Sequence, residues 1–131
     1  MARAFSFKGM TVEELQKLDL KDFMKLIPAR QRRSLKRGFS EDQKKLLLKI
    51  DKTLQGHYKK PIKTHCRDII VLPKMVGLVI HVHVGNKFTP IMIPPEAIGM
   101  YLGELTMTRS KVAHSAPGIG ATKSSSAISV K

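Results

Sequence analysis

The densest chemistry in the chain lies between Pro28 and Gly38, where Arg30, Arg32, Arg33, Lys36 and Arg37 stand with no carboxylate to balance them. At helical spacing Arg30, Arg33 and Arg37 share one face, and Leu35 is almost the only large apolar residue beside them. A helix of that kind has little to bury. Its basic face is either solvated or laid against a ligand, and an arginine fork matches phosphate oxygens better than an ammonium does. The unbalanced charge favours phosphate.

Other constellations point to less. His81 and His83 share one face of an extended run, as a metal pair on a strand would, but no third ligand lies nearby. Cys66 beside His65 lacks the paired spacing of a zinc site. These histidines read as surface or RNA-facing residues, with no metal. Gly118-Ile-Gly-Ala-Thr-Lys-Ser124 imitates a phosphate loop, yet Thr122 stands where glycine must precede the lysine. That motif also needs a strand before it and a helix after it. Carboxylates fall mostly at helix starts, where capping explains them, and no Ser, His and Asp arrangement stands out. The expectation is no catalysis and no cofactor. With no Trp, two Tyr and five Phe, a platform that stacks single-stranded bases is not expected. Recognition of folded RNA by backbone and shape is.

The whole chain shares this bias. Its 131 residues hold 24 Lys+Arg against 10 Asp+Glu, a formal charge of +14. Such a charge strains a small fold by self-repulsion unless a polyanion neutralises it. Nucleic acid is the first candidate and an anionic membrane surface the second. No apolar run reaches the length that spans a bilayer, and the first residues carry no signal-peptide h-region. A single Cys66 excludes an intrachain disulfide and fits a reducing compartment. The expectation is a basic, soluble, intracellular protein of one domain with appendages.

The elements that position these residues follow from local signals. Thr11-Val-Glu-Glu14 and Ser40-Glu-Asp-Gln43 are capping boxes, and Asp19 offers a further helix start. Val12, Leu15 and Leu18 would face inward from the first helix, and Phe23, Met24 and Ile27 from the second. Pro28 suits a first helical position and Gly38 the place just past a helix end. From Ser40 the longest helical pattern carries Leu46, Ile50 and Leu54 at i, i+4 and i+8 and ends at Gly56. Leu78 to Val84 and Lys87 to Ile93 then flank Gly85-Asn86, a two-residue hairpin turn. Setting Val84 opposite Lys87 places Val82 on Thr89, Ile80 on Ile91 and Leu78 on Ile93, which makes one face apolar. Pro90 then lies opposite His81 with its missing N–H turned outward, so the second strand is an edge. A third strand must pair with Leu78–Val84, and Thr64–Val71 is the obvious segment. Pro94-Pro95 ends the hairpin, and a short helix interrupted by glycine is expected over 96–104. From Thr106 onward no acidic residue occurs, and so polar a segment cannot order alone.

From Lys63 onward the chain closely resembles the universal small-subunit ribosomal protein family numbered nineteen. The resemblance rests on Lys63-Thr-His-Cys-Arg-Asp68, Leu72-Pro-Lys-Met-Val-Gly77, and the hairpin with Gly85, Lys87 and Pro90. It continues through Ile98-Gly99, Leu102-Gly-Glu104, Thr106-Met-Thr-Arg109 and Pro117-Gly-Ile-Gly-Ala-Thr122. The segment with Ala29-Arg-Gln-Arg-Arg33 is similar to the extension of the archaeal and eukaryotic branch, whose eukaryotic member is numbered fifteen. The resemblance implies a protein of the small-subunit head that binds ribosomal RNA and pairs with the ribosomal protein numbered thirteen. Its tail would extend toward the decoding region and transfer RNA. By position, Lys63, Thr64, His65, Arg67, Lys74 and Lys87 would lie on RNA, and Arg109, Lys111 and Lys123 would thread the tail along it.

Together these readings predict an α+β protein. It comprises N-terminal helices, a small antiparallel sheet of about three strands, a short C-terminal helix and an extended basic tail. Residues 1–39 would form a helical basic extension, 40–105 the RNA-binding core and 106–131 a flexible basic tail. The expected function is structural, in the cytoplasmic ribosome. A free-standing architectural nucleic-acid binder is the alternative, and a nucleotide-dependent enzyme using the glycine-lysine tail is the third hypothesis.

Overall fold

Side-chain caps set the starts of three helices in the computed structural model, which describes residues 5–113, 118, 121 and 123–126. α1 (Val12–Lys17) opens with Thr11 Oγ1 accepting the Glu14 N–H at 3.4 Å, while Glu14 accepts the Thr11 N–H at 2.8 Å. Asp19 caps α2 (Leu20–Leu26). Ser40 and Gln43 form the second reciprocal box, at the head of α4 (Glu41–Leu54). Each box satisfies two amide donors that a bare helix end leaves open. α3 (Ala29–Lys36) lacks such a cap, because Pro28 takes the cap position itself, one residue earlier than expected. Gly38 follows α3 with φ 87°, and Gly56 follows α4 with φ 76°. Beyond α4 the Gly56 N–H reaches Thr53 O at 3.0 Å and the His57 N–H reaches Lys52 O at 2.9 Å, the paired bonds of a Schellman stop.

The helices bury one stripe each. Leu15, Phe23, Ile27, Leu35, Leu46 and Ile50 enter a single cluster with Ile62, Ile69 to Leu72, Met75, Ile80, Val82, Ile93, Ile98 and Leu102. Helices α1 to α3 therefore contribute Leu15, Phe23, Ile27 and Leu35 to the same core as the sheet. Val12, Leu18, Met24 and Leu47 are half-buried. Leu54 breaks the expected stripe, at 53% exposure.

The sheet has the order β1-β2-β3, with β1 Ile62–Thr64, β2 Val79–His83 and β3 Phe88–Met92. Its hairpin register is the expected one: Val82 on Thr89, His81 on Pro90 and Ile80 on Ile91. The Val84 N–H reaches Lys87 O at 2.9 Å across the turn, and Gly85 alone of the two turn residues has positive φ, at 105°. That is the pattern of a turn with glycine first. Pro90 lies on the edge strand.

Three expectations are corrected. The sheet is mixed, because β1 runs parallel to β2, with Ile62 on Ile80 and Thr64 on Val82. A parallel pair needs a crossover of a dozen or more residues, and residues 65–78 supply it. The third strand is also shorter and earlier than Thr64–Val71, since Thr64 Oγ1 accepts the Cys66 N–H at 2.9 Å and turns the chain out of the sheet. Arg67 to Val71 then pairs with the 99–103 segment through Val71 N to Met100 O and Leu102 N to Ile69 O, both 2.8 Å. The expected helix over 96–104 is replaced by two 3-10 turns, Pro95–Ala97 and Leu102–Leu105. Gly99 between them stands at φ 83°, outside the helical region.

Part of the basic tail, residues 114–117, 119–120, 122 and 127–131, lies outside the described residues, as do several positions of the Gly118–Ser124 motif. Within the rest, Lys123–Ser126 form α5, a single helical turn.

Gly99 also meets Ile27: a Cβ built there would approach Ile27 Cγ2 to 3.3 Å. Gly99→Ala is therefore expected to destabilise the fold by about 1–3 kcal/mol, the usual cost of a non-glycine residue held in the left-handed region. Urea denaturation would check this through a lowered midpoint with an unchanged slope.

Candidate nucleic-acid interface

α3 presents Arg30, Arg33, Lys36 and Arg37 as exposed side chains, anchored by buried Leu35. Arg32 does something else. Its Nε donates to Met24 O at 2.9 Å and its guanidinium tip to Ile27 O at 3.0 Å, closing the open carbonyls of α2. Ser34 Oγ lies 3.2 Å from the Tyr101 hydroxyl and ties α3 to the 99–103 segment. Arg30 and Arg37 flank a groove of about 570 Å³ between these elements, floored in part by Tyr101 and edged by Asp68. The Asp68 carboxylate accepts from Gln43 at 2.9 Å.

Arg67 is likewise directed inward. One terminal nitrogen donates to His83 O and Thr106 Oγ1, both at 2.9 Å. The other donates to Gly103 O at 2.8 Å and Thr106 O at 2.6 Å. The fork joins the end of β2, the second 3-10 turn and the root of the tail. Thr106 is buried, at 6% exposure, where it meets this fork. Gly103 is required beside it, because a Cβ would come within 3.0 Å of both Arg67 Cβ and Arg67 O.

The remaining expected contacts divide in the same way. Thr64 is buried with its hydroxyl engaged by Cys66. Lys74 pairs with Asp51 at 2.7 Å, linking the 73–75 turn to α4. Lys63, His65, Lys87, Arg109, Lys111 and Lys123 all have exposed side chains. Lys63 and His65 lie together on the rim of a second groove, about 240 Å³, whose opposite wall is α4 with Lys45 and Lys49. Sequence spacing alone did not connect those two lysines to β1. Their i, i+4 separation puts them on one face, and only the fold shows which neighbour that face meets.

Acidic residues offer little counterweight on these surfaces. The hydrogen bond and charge of Lys25 hold the Asp22 carboxyl below its ordinary range, and Lys44 does the same for Glu41. Both pairs are i,i+3 partners on exposed helix surface, where screening leaves them a small effect. Among the described residues no group of three or more His, Cys, Asp or Glu side chains is placed to hold a metal ion. No described helix is long and apolar enough to cross a membrane.

Residues 33–114 match the family described as Ribosomal protein S19. The chain is also 50% identical to the Small ribosomal subunit protein uS19 of Thermoplasma volcanium over 130 residues, covering 99% of this chain and 83% of that protein. The chain belongs to this ribosomal protein family. Membership makes it a structural component and not an enzyme. The matched span begins inside α3 and takes in α4, the sheet, the Arg67 joint and the 99–106 segment. The relative extends the likeness across α1 and α2 as well.

Arg67 and the exposed arginines of α3 should therefore behave oppositely when altered. Arg67→Lys keeps the charge but loses the fork, and is expected to destabilise the fold on the order of 2 kcal/mol. Arg33→Lys should stay within about 0.5 kcal/mol. Chemical denaturation of the two variants side by side would check the contrast.

Proposed function

We propose that the protein is a structural constituent of the small ribosomal subunit that binds small-subunit ribosomal RNA in the head. On this reading it sits beside the ribosomal protein numbered thirteen, and its tail reaches toward the decoding region and transfer RNA, in the cytoplasmic ribosome. The observation that carries the reading is the family match joined to a one-sided charge. Lysines and arginines that the fold does not use internally stand exposed on α3, at the β1 rim, at the hairpin turn and along 109–111. Polyanion binding relieves the self-repulsion of such a surface, and each neutralised phosphate contributes about one unit of log–log salt dependence.

Binding to naked small-subunit ribosomal RNA, competed with excess large-subunit RNA, tests the proposal. Retention of the small-subunit complex is expected, and equal displacement by the competitor would contradict it. Truncation after Thr108 leaves the Arg67 joint whole and removes Arg109, Lys111 and Lys123. It should weaken the complex and lower the salt slope by about one unit for each phosphate that the shortened chain leaves unneutralised. An unchanged affinity and slope would remove the tail from the interface.

A further inference from the structure

The open face of the sheet gathers rings that the sequence scatters. His65 lies just past β1, His83 ends β2 and Phe88 begins β3. Their centroids are 4.4 Å apart for His65 and His83, 5.1 Å for His65 and Phe88, and 4.9 Å for His83 and Phe88. His65 is exposed and the other two are half-buried. The cluster is held from below: His83 pairs with Phe88 across the hairpin, His83 Nδ1 accepts the Gly85 N–H at 3.2 Å, and His83 O receives the Arg67 fork. Rings fixed in this way present aromatic surface at low entropic cost.

Cations adjoin the rings directly. The Lys63 ammonium stands 5.5 Å from the Phe88 centroid, a cation–π distance. Lys63 and His65 also line the groove whose far wall carries Lys45 and Lys49. Asp42 is in that groove as well, 3.5 Å from Lys45, with both side chains largely in solvent. A basic groove leading onto an aromatic cluster is the arrangement that holds an unstacked nucleotide, phosphate in the groove and base on the rings.

We infer that the α4–β1 groove and the His65, His83 and Phe88 face together bind an unpaired RNA nucleotide. Its phosphate lies against Lys45, Lys49 and Lys63, and its base stacks on the ring cluster. The inference rests on the RNA-binding reading above and deepens it by naming the class of RNA element recognised. Lys63 changes partner on binding: a phosphate draws its ammonium off Phe88 and uncovers that ring for the base. Selectivity for base identity is not built in, because stacking uses the π-face that every base offers. Scarcity of aromatic residues did not predict this. Few rings suffice when the sheet places them side by side.

The intact chain would be titrated with two short RNA hairpins, one fully paired and one carrying a single bulged 2-aminopurine. Wild type is expected to bind the bulged hairpin about tenfold more tightly, with quenching of the 2-aminopurine as it stacks. Phe88→Leu and His65→Ala should each cost about tenfold against the bulged hairpin and much less against the paired one. The double variant Lys45→Gln, Lys49→Gln should weaken both RNAs, lower the salt slope by about one unit and keep the preference for the bulge. Equal wild-type affinity for the two hairpins, or a preference that survives both ring variants, would overturn the inference while leaving RNA binding standing. Binding to neither hairpin would defeat the RNA-binding reading itself. His65 is exposed, so His65→Ala decides the matter should Phe88→Leu prevent folding.

Discussion

The guanidinium of Arg67 ties three separate parts of the chain together at one point. Its four hydrogen bonds reach His83 at the end of β2, Gly103 in the second 3-10 turn and Thr106 where the tail begins. Bonds from a charged donor are each worth roughly 1.5–3 kcal/mol, a large share of the margin by which a domain of this size is stable. Geometry forces the neighbouring residue to be glycine, because a side chain at 103 would collide with Arg67 itself. The same fork that closes the core also fixes the carbonyl beneath the ring cluster and the direction in which the basic tail departs. Packing and function meet at this joint.

Around that joint the charges separate by role. Most carboxylates are engaged locally: Glu14 and Asp19 cap helices, Asp22, Glu41 and Asp42 meet lysines one turn on, and Asp51 holds Lys74. Arg32 and Arg67 point inward to carbonyl oxygens. What is left for solvent is overwhelmingly cationic, and a fold carrying +14 is most stable when a polyanion lies on it. The cations on α3 and at the β1 rim are held by short helices and a three-stranded sheet, so the partner meets a largely preformed surface.

Local signals were legible in the sequence. Both capping boxes, the Asp19 start, the glycine stops and the hairpin register stand where residue type and spacing put them, because each depends on neighbours a few positions apart. Non-local pairing was not. The parallel placement of β1 depends on a 65–78 crossover, and the Arg67–Val71 ladder depends on a partner thirty residues on. The roles of Arg32, Arg67 and Thr64 were hidden for a different reason. An arginine fork suits a cluster of carbonyls as well as it suits a phosphate, and a threonine hydroxyl serves a turn as well as a ligand. Burial alone separates the two uses. The ring cluster was hidden likewise, since His65, His83 and Phe88 become neighbours only when β1 joins the hairpin.

We take the chain to be an integral part of the small subunit, retained there by its exposed cations. Co-sedimentation with ribosomal subunits through a high-salt density gradient tests that claim most directly. About one copy per small subunit, persisting as salt strips weakly held basic proteins, is the predicted result. Migration at the top of the gradient, with nucleic-acid binding that collapses in moderate salt, would contradict it and describe a free-standing architectural binder.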